Sequence, residues 1–180
     1  EHMKTSTILF LIGGALIMAA GTGGAVIAYN NSKRRGIRNN NPGNLGKTPI
    51  AWRGKVPHAK NTDPHFEQFT DHDGKPGHLW GLRAMFMDVR GDIEKKGMDT
   101  VAKLITSYAP QMGTLNPTGK LQRENNTAAY IARVAKELNK PATAKIVPAD
   151  YLKLMKAIIA VENIEQPYPD TVIQSAMSMA

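Results

Sequence analysis

The stretch between Pro148 and Pro167 constrains the fold most, because its pattern suits only one kind of element. Its large apolar residues recur at the three-and-four spacing of a single helical face. These residues are Tyr151, Leu154, Met155, Ile158 and Ile159. Pro148 and Asp150 are typical of a helix start, and Pro167 is typical of a stop. The sequence therefore predicts a helix here with one buried stripe.

Glu162 is a charged residue on this apolar stripe. At about 100° per residue it falls within roughly 20° of Tyr151, so it points where the apolar side chains point. It also lies near the C-terminal end of the helix, where the helix dipole and desolvation both oppose ionisation. A carboxyl group that keeps its proton can act as a general acid. The alternative is that Glu162 lies on the helix edge and pairs with one of the many Lys or Arg side chains.

Four more segments have the periodicity of helices, and one has that of short strands. The helical segments run from Gly77 to Gly97, from a cap at Asp99 or Thr100 to Pro110, from Glu124–Thr127 through Tyr130, and within the tail Tyr168–Ala180. Trp52 to Phe69 reads as short extended pieces, which predicts a small sheet or hairpin-like lobe. The predicted fold class is α+β and mainly helical.

Ile8 to Tyr29 contains no charged side chain and is long enough to cross a bilayer of about 30 Å, which predicts one transmembrane helix. Glu1-His2-Met3 resembles a cloning remnant. The basic residues that follow the run place the C-terminal domain on the cytoplasmic side, or on the inner side of a virion membrane. The predicted division is 1–7 for the remnant and N-terminus, 8–29 for the span, 30–35 for a basic linker and 36–180 for the domain.

The net charge indicates an anionic binding partner but does not identify which one. A net charge of +8 favours nucleic acid, an acidic membrane surface or the acidic polymers of a bacterial wall. The chain has no cysteine, so neither disulfides nor thiolate chemistry are available to it.

The segment from Arg34 to Gly46, RRGIRNNNPGNLG, is rich in residues that favour turns, and we expect a shaped polar loop with no helix. Its amides are suited to a carbohydrate-binding wall. The alternative is a plain linker.

Glu124 is a second candidate acid, in an environment opposite to that of Glu162. The N-terminal dipole of its helix would stabilise the carboxylate anion. Two carboxylates in opposite environments suggest divided roles, although Glu124 could equally be an ordinary first-turn residue.

Four histidines lie close together in the sequence, with Asp71 and Asp73 among them. They are His58, His65, His72 and His78. Their spacings match no pattern that places two histidines on one metal ion, so we assign no metal and expect no cofactor. A zinc-dependent murein peptidase remains an alternative.

Several motifs together resemble a family of phage and prophage virion proteins that are suspected of degrading the cell wall. The motifs are RGIRNNNPGNL, Trp52-Arg53-Gly54, Asp63-Pro64 with Phe66 and Phe69, Gly81-Leu82-Arg83-Ala84, Tyr108-Ala109-Pro110, Glu124–Thr127 with Tyr130, and Ala157–Ile159 with Glu162-Asn163. With the membrane anchor, the resemblance indicates a lipid-containing phage of corticovirus type. Family members usually carry Gly where this chain has Ile164.

A second resemblance, to the lysozyme and lytic transglycosylase superfamily, implies a mechanism. Ala157–Asn163, AIIAVEN, is similar to the helix that ends in the catalytic Glu of lytic transglycosylases, and NNNPGNLG is similar to the segment that follows that helix in glucosaminidase-like enzymes. The order is reversed here, as a circular permutation would produce. The resemblance implies that Glu162 faces the loop Asn39–Asn44 across a cleft.

This resemblance implies cleavage of the β-1,4 bond between N-acetylmuramic acid and N-acetylglucosamine. Glu162 would protonate the leaving oxygen and then take a proton from the muramoyl 6-hydroxyl or from water. A second carboxylate, if one is needed, could be Glu124, Asp63 or Glu67. The candidate sugar contacts are Asn40, Asn41, Asn44, Trp52, Tyr108 and Tyr130, although Trp52 and Tyr108 could equally be core residues.

The expected partners are peptidoglycan, a lipid membrane through the N-terminal helix, and other virion membrane proteins. The expected location is a virion internal membrane or the host inner membrane. A non-catalytic virion membrane protein that binds DNA or membrane is the other class that fits the sequence.

Overall fold

Helices dominate the residues that the computed structural model describes, which are 34–110 and 126–180. Within these ranges the α-helices are α1 (Arg35–Arg38), α2 (Gly77–Lys96), α3 (Val101–Tyr108), α4 (Thr127–Leu138), α5 (Tyr151–Asn163) and α6 (Asp170–Ser178). A single 3-10 turn, Pro148–Asp150, leads into α5. The prediction of a mainly helical chain is therefore confirmed.

The helix ends follow from local side chains that satisfy exposed backbone groups. The Thr100 hydroxyl accepts from the Lys103 N–H at the start of α3, and the Asn126 side chain accepts from the Ala129 N–H at the start of α4. Gly97 ends α2 and Asn139 ends α4, both in the left-handed conformation that these residue types tolerate. The predicted boundaries near Gly97, Thr100 and Asn126 are confirmed.

The hydrophobic core lies between α2, α3, α4, α5 and α6. Every member of the predicted stripe of α5 is buried, namely Tyr151, Leu154, Met155, Ile158 and Ile159. Residues of α2, including Leu82 and Val89, join the same cluster. A second, smaller cluster of Leu45, Phe69, Trp80 and Ala84 seats the N-terminal loop against α2. Both clusters contain residues of α2, so the N-terminal loop and α5 are both packed against this helix.

The extended lobe is less regular than predicted. Among the described residues its pairing consists of isolated antiparallel bridges, Gly46 with Phe66, Lys55 with Phe69 and His72 with Lys75, rather than a continuous sheet. Side chains complete the pairing: the Asn61 amide donates to the Phe66 carbonyl oxygen at 2.9 Å. Proline and glycine are frequent in this segment, and they interrupt the ladder of a sheet.

The prediction that Arg34 to Gly46 contains no helix is wrong at its start. Arg35–Arg38 form the short helix α1, and the turns begin only at Asn39. The local sequence did not reveal this helix because its stability comes from packing on α5. A Cβ atom at Gly36 would lie 2.3 Å from Asn163 Oδ1, so only glycine allows α1 to approach this closely.

Gly81 plays the same role on the other side of the loop. A Cβ atom there would lie 1.8 Å from the Asn40 carbonyl oxygen, so the backbone of the loop rests directly on α2. The loop is therefore held between two helices through positions that admit no side chain.

Several predicted features lie outside the described residues. They are the N-terminal remnant 1–7, the transmembrane helix Ile8–Tyr29, most of the basic linker 30–35 and the candidate acid Glu124. No helix within residues 34–110 and 126–180 has the length and apolar character to cross a bilayer.

Gly36→Ala should destabilise the fold by about 2 kcal/mol, because the new methyl group meets the Asn163 side chain and the Asn41 carbonyl oxygen. Gly91→Ala is the matched control, since a Cβ atom at this helical position meets nothing within 4 Å and should stabilise α2 by up to about 1 kcal/mol. Denaturant unfolding of the full chain measures both changes. Equal effects of the two substitutions would contradict the close approach of α1 to α5.

Candidate active site

The carboxyl group of Glu162 lies near the C-terminal end of α5, where two other elements reach it. The Tyr130 hydroxyl, from α4, donates to Oε1 at 3.0 Å. The Asn44 amide, from the loop, donates to Oε2 at 2.9 Å. Glu162 is therefore directed toward the asparagine-rich loop, but the two are joined by a direct hydrogen bond where the resemblance implied a cleft between them.

Burial is the main influence on the acidity of Glu162. It raises the pKa of the Glu162 carboxyl above the ordinary value of 4.5, while the hydrogen bonds from Asn44 and Tyr130 and the positive charge of Arg35 act in the opposite direction. The net shift is upward. A pKa above the ordinary value keeps more of the group protonated as the pH approaches neutrality, which a general acid requires.

Two neutral phenols border the carboxyl group. Burial, followed by the negative charge of Glu162, raises the pKa of Tyr130 and Tyr108 far above their usual range. Both hydroxyls therefore keep their protons and act as donors. Tyr108 uses its proton on the Gly43 carbonyl oxygen, which ties α3 to the loop beside Asn44.

Arg35 joins the site through Asn44, although the sequence offers no direct reason to place Arg35 there. Its Nε donates to Asn44 Oδ1 at 3.4 Å, and its guanidinium lies 3.6 Å from the centre of the Phe66 ring. Arg35 thus fixes the orientation of the amide that donates to Glu162. The signal available in the sequence was the position of Arg35 inside the RGIRNNNPGN motif.

Asn163, which the sequence analysis named only within the Glu162-Asn163 pair, connects the end of α5 to the loop. It is fully buried, and its amide donates to the Pro42 carbonyl oxygen at 2.8 Å and to the Ile159 carbonyl oxygen at 3.0 Å. These bonds fasten the loop to the end of α5 next to Glu162.

Among the proposed sugar contacts, Asn41 is corrected by the structure. Its side chain is fully buried, its amide donates to the carbonyl oxygens of Leu45 and Glu67, and its Oδ1 accepts from the Leu45 N–H. A buried amide with these partners shapes the loop and has no access to a ligand.

Asn40 and Trp52 are placed differently from Asn44. Asn40 donates from its side chain to the Phe69 carbonyl oxygen at 3.0 Å and has a positive φ of 51°. Trp52 is half-buried and packs against the smaller cluster, which agrees with the alternative that Trp52 is a core residue. Neither residue contacts Glu162 in the described part of the chain, whereas Asn44 and Tyr130 contact it directly and Tyr108 braces the loop.

Two of the three carboxylates proposed as second groups, Asp63 and Glu67, are engaged elsewhere, and the third, Glu124, lies outside the described residues. Glu67 is fully buried and binds the Lys55 ammonium at 2.8 Å and the Thr48 N–H at 2.8 Å. Asp63 accepts from the Asn39 amide at 2.8 Å and from two backbone N–H groups. Despite the opposing effect of its burial, these hydrogen bonds lower the pKa of Asp63. Both residues support the extended lobe.

The four histidines do not converge. His58 contacts Glu67, His72 packs edge-on against Trp80, and His78 stacks on Tyr168. Within 34–110 and 126–180, no group of three or more His, Cys, Asp or Glu side chains is arranged to hold a metal ion.

Tyr130→Phe should raise the pKa of Glu162 further, because it removes one of the two donors that stabilise the carboxylate. Tyr151→Phe is the matched control, since the Tyr151 hydroxyl donates to Glu94 at the other end of α5. Titration of the Glu162 carboxyl carbon by NMR measures the shift. A fall in the pKa of Glu162 in Tyr130→Phe would contradict this hydrogen-bond arrangement.

Comparison with known proteins identifies a phage relative. No family model matches the chain. The chain is 31% identical over 141 residues, covering 77% of its length and 76% of the relative, to a protein named Protein P5 from Pseudoalteromonas phage PM2. The predicted resemblance to phage proteins is confirmed at this level. The name of the relative specifies no reaction, so cell-wall degradation stays a prediction.

Proposed function

The chain belongs to the family of Protein P5 of Pseudoalteromonas phage PM2, and on that premise we propose that it is a phage virion enzyme that cleaves peptidoglycan. The proposed reaction is that of a lytic transglycosylase, acting on the β-1,4 bond between N-acetylmuramic acid and N-acetylglucosamine. A lysozyme-like, circularly permuted domain is part of the same proposal.

One observation carries the proposal: the half-buried carboxyl group of Glu162, whose pKa is raised, is held by two neutral donors from separate elements. A glutamate that is held in an ion pair has its charged form stabilised, which lowers its pKa. Glu162 has instead the environment of a group that must hold and then release a proton.

The proposed mechanism uses Glu162 twice. The protonated carboxyl donates its proton to the glycosidic oxygen as the bond to C1 of the muramoyl residue breaks. The resulting carboxylate then accepts the proton of the muramoyl 6-hydroxyl, whose oxygen bonds to C1 and gives a 1,6-anhydro end. Tyr130 and Asn44 stabilise the carboxylate between the two steps, because both donate to it.

We favour a transglycosylase over a two-carboxylate hydrolase because the two described candidates for a second carboxylate are engaged elsewhere, while Glu124 lies outside the described residues. Hydrolases of the retaining and inverting types place a second carboxylate about 5 to 9.5 Å from the acid. Asp63 and Glu67 are bound within the extended lobe, and the hydrogen-bond partners of Glu162 in the described residues are an amide and a phenol. Hydrolysis by water activated at Glu162 is the closest variant of the proposal.

The proposed setting is a virion internal membrane or the host inner membrane, reached through an N-terminal span at Ile8–Tyr29. Murein lies outside the inner membrane, so the enzyme would act when the virion membrane meets the cell envelope during entry or exit. Other virion membrane proteins are proposed neighbours.

Glu162→Gln should abolish clearing of purified murein, lowering the rate by at least about 100-fold, because the amide cannot donate the proton. Glu165→Gln is the matched control: Glu165 is exposed just beyond the same helix end and should behave as wild type. A murein zymogram measures clearing, and mass spectrometry of the soluble products distinguishes anhydro from hydrolysed ends.

The same assay separates the alternatives. Clearing that survives Glu162→Gln but fails in Glu124→Gln would move the acid to Glu124. Clearing abolished by a chelator but not by Glu162→Gln would indicate a zinc peptidase. Absence of clearing by the wild type, together with salt-sensitive DNA binding, would indicate a non-catalytic DNA-binding virion protein.

A further inference from the structure

Ile164 ends α5 in a conformation that its side chain does not favour. Its φ is 64° and its ψ is −7°, in the left-handed region. Among the described residues, the other non-glycine positions with positive φ are all Asn or Asp, namely Asn40, Asn44, Asp73 and Asn139. Asn and Asp tolerate this region, whereas a β-branched side chain brings its Cβ too close to the neighbouring carbonyl oxygen. The backbone at this position would be more stable with glycine.

The side chain of Ile164 is also exposed. It is 68% exposed, more than Ile50 at 46% or Val147 at 43%. An apolar residue that follows a helix end usually packs back onto the last turn, and this one does not. Ile164 therefore contributes neither to the core nor to a relaxed turn, and the fold provides no reason for isoleucine at this position.

The position of Ile164 relates it to the acid. It follows Glu162 by two residues, so the two Cα atoms lie within about 7.6 Å of each other. The Asn44 amide, which holds the Glu162 side chain, is also 3.4 Å from the Glu162 backbone carbonyl oxygen. The end of α5 and the loop therefore meet where Ile164 begins the next segment. Residues kept in a sparsely populated backbone region beside a reactive group are typical of functional sites.

We propose that Ile164 is a specificity-determining residue whose side chain contacts the apolar face or the N-acetyl methyl group of the bound sugar. This inference rests on the proposed function, and it names the contact by which the same site would recognise an N-acetylated glycan. Contact with the sugar removes the exposed side chain from water, which a glycine at this position could not do.

The first test compares stability. Ile164→Gly and Ile164→Asn should both raise the melting temperature of the full chain, because they relieve the left-handed strain. Val147→Gly is the matched control, since Val147 is an exposed apolar residue about 20 Å away, at the other end of the helix. It has a φ of −117° and should gain nothing. A lower melting temperature in both Ile164 variants would overturn the inference.

The second test compares binding in the Glu162→Gln background, with a tetrasaccharide of alternating N-acetylglucosamine and N-acetylmuramic acid as the probe. Adding Ile164→Gly or Ile164→Asn should weaken binding about tenfold, while Ile164→Val should keep the affinity of the background. In the otherwise wild-type enzyme, the same substitutions should raise KM with little change in kcat, since they remove a contact and leave the acid in place.

The outcomes distinguish this inference from the proposed function. Unchanged affinity and KM in Ile164→Gly, alongside murein cleavage that depends on Glu162, overturns the inference alone. Lost tetrasaccharide binding in Ile164→Gly, with no murein cleavage by the wild type, supports a sugar contact at Ile164 and overturns the proposed reaction. A full chain that sediments as a dimer in the wild type and as a monomer in Ile164→Gly, with no change in sugar affinity, assigns the side chain to self-association and overturns the inference.

Discussion

The contact between the asparagine-rich loop and the end of α5 supports the rest of the site. Asn163 donates to the Pro42 carbonyl oxygen, and Asn44 donates to the Glu162 carboxyl group. A buried hydrogen bond of this kind contributes about 1 kcal/mol net, but a buried donor left without its acceptor costs about 1 to 3 kcal/mol. The loop and the end of α5 therefore stay together mainly because separating them would leave buried donors unpaired, which costs more free energy than the hydrogen bonds themselves contribute.

The same contact also contains an unfavourable feature, a buried oxygen atom without a hydrogen-bond partner in the described residues. Asn163 Oδ1 is buried and has no hydrogen-bond partner in the described residues, and it faces the backbone of Gly36. A larger residue in α1 would force it away. The chain keeps α1 close to α5 despite this unpaired oxygen, and Arg35, on that short helix, thereby reaches Asn44. The orientation of the Asn44 amide, which donates to Glu162, thus depends on glycine at position 36, directly after Arg35.

Periodicity and turn chemistry were sufficient to predict α2 to α6, because these helices are set by residues close in sequence, whereas α1 was missed because it is stabilised by packing on α5. The stripe of α5, the caps at Thr100 and Asn126 and the inward direction of Glu162 all follow from local spacing. Side-chain roles that depend on distant partners could not be predicted in this way. An asparagine amide suits a sugar and a backbone carbonyl equally well, so the sequence could not separate the buried Asn41 from Asn44. Glu67 was one of three possible second carboxylates, and its binding to Lys55 and Thr48 could not be predicted from the sequence.

The distance along the chain between the parts of the site links its chemistry to folding. Asn44 and Glu162 are separated by 118 positions, and Tyr130 and Glu162 by 32. In an unfolded chain Glu162 is an ordinary solvated carboxylate, because neither burial nor these donors act on it. Its raised pKa arises only when the loop, α4 and α5 have come together, and contacts of such separation form only after the entropy of closing the intervening chain has been overcome. The property that makes Glu162 a candidate acid is therefore a property of the assembled domain, and no fragment that lacks either the loop or α5 can have it.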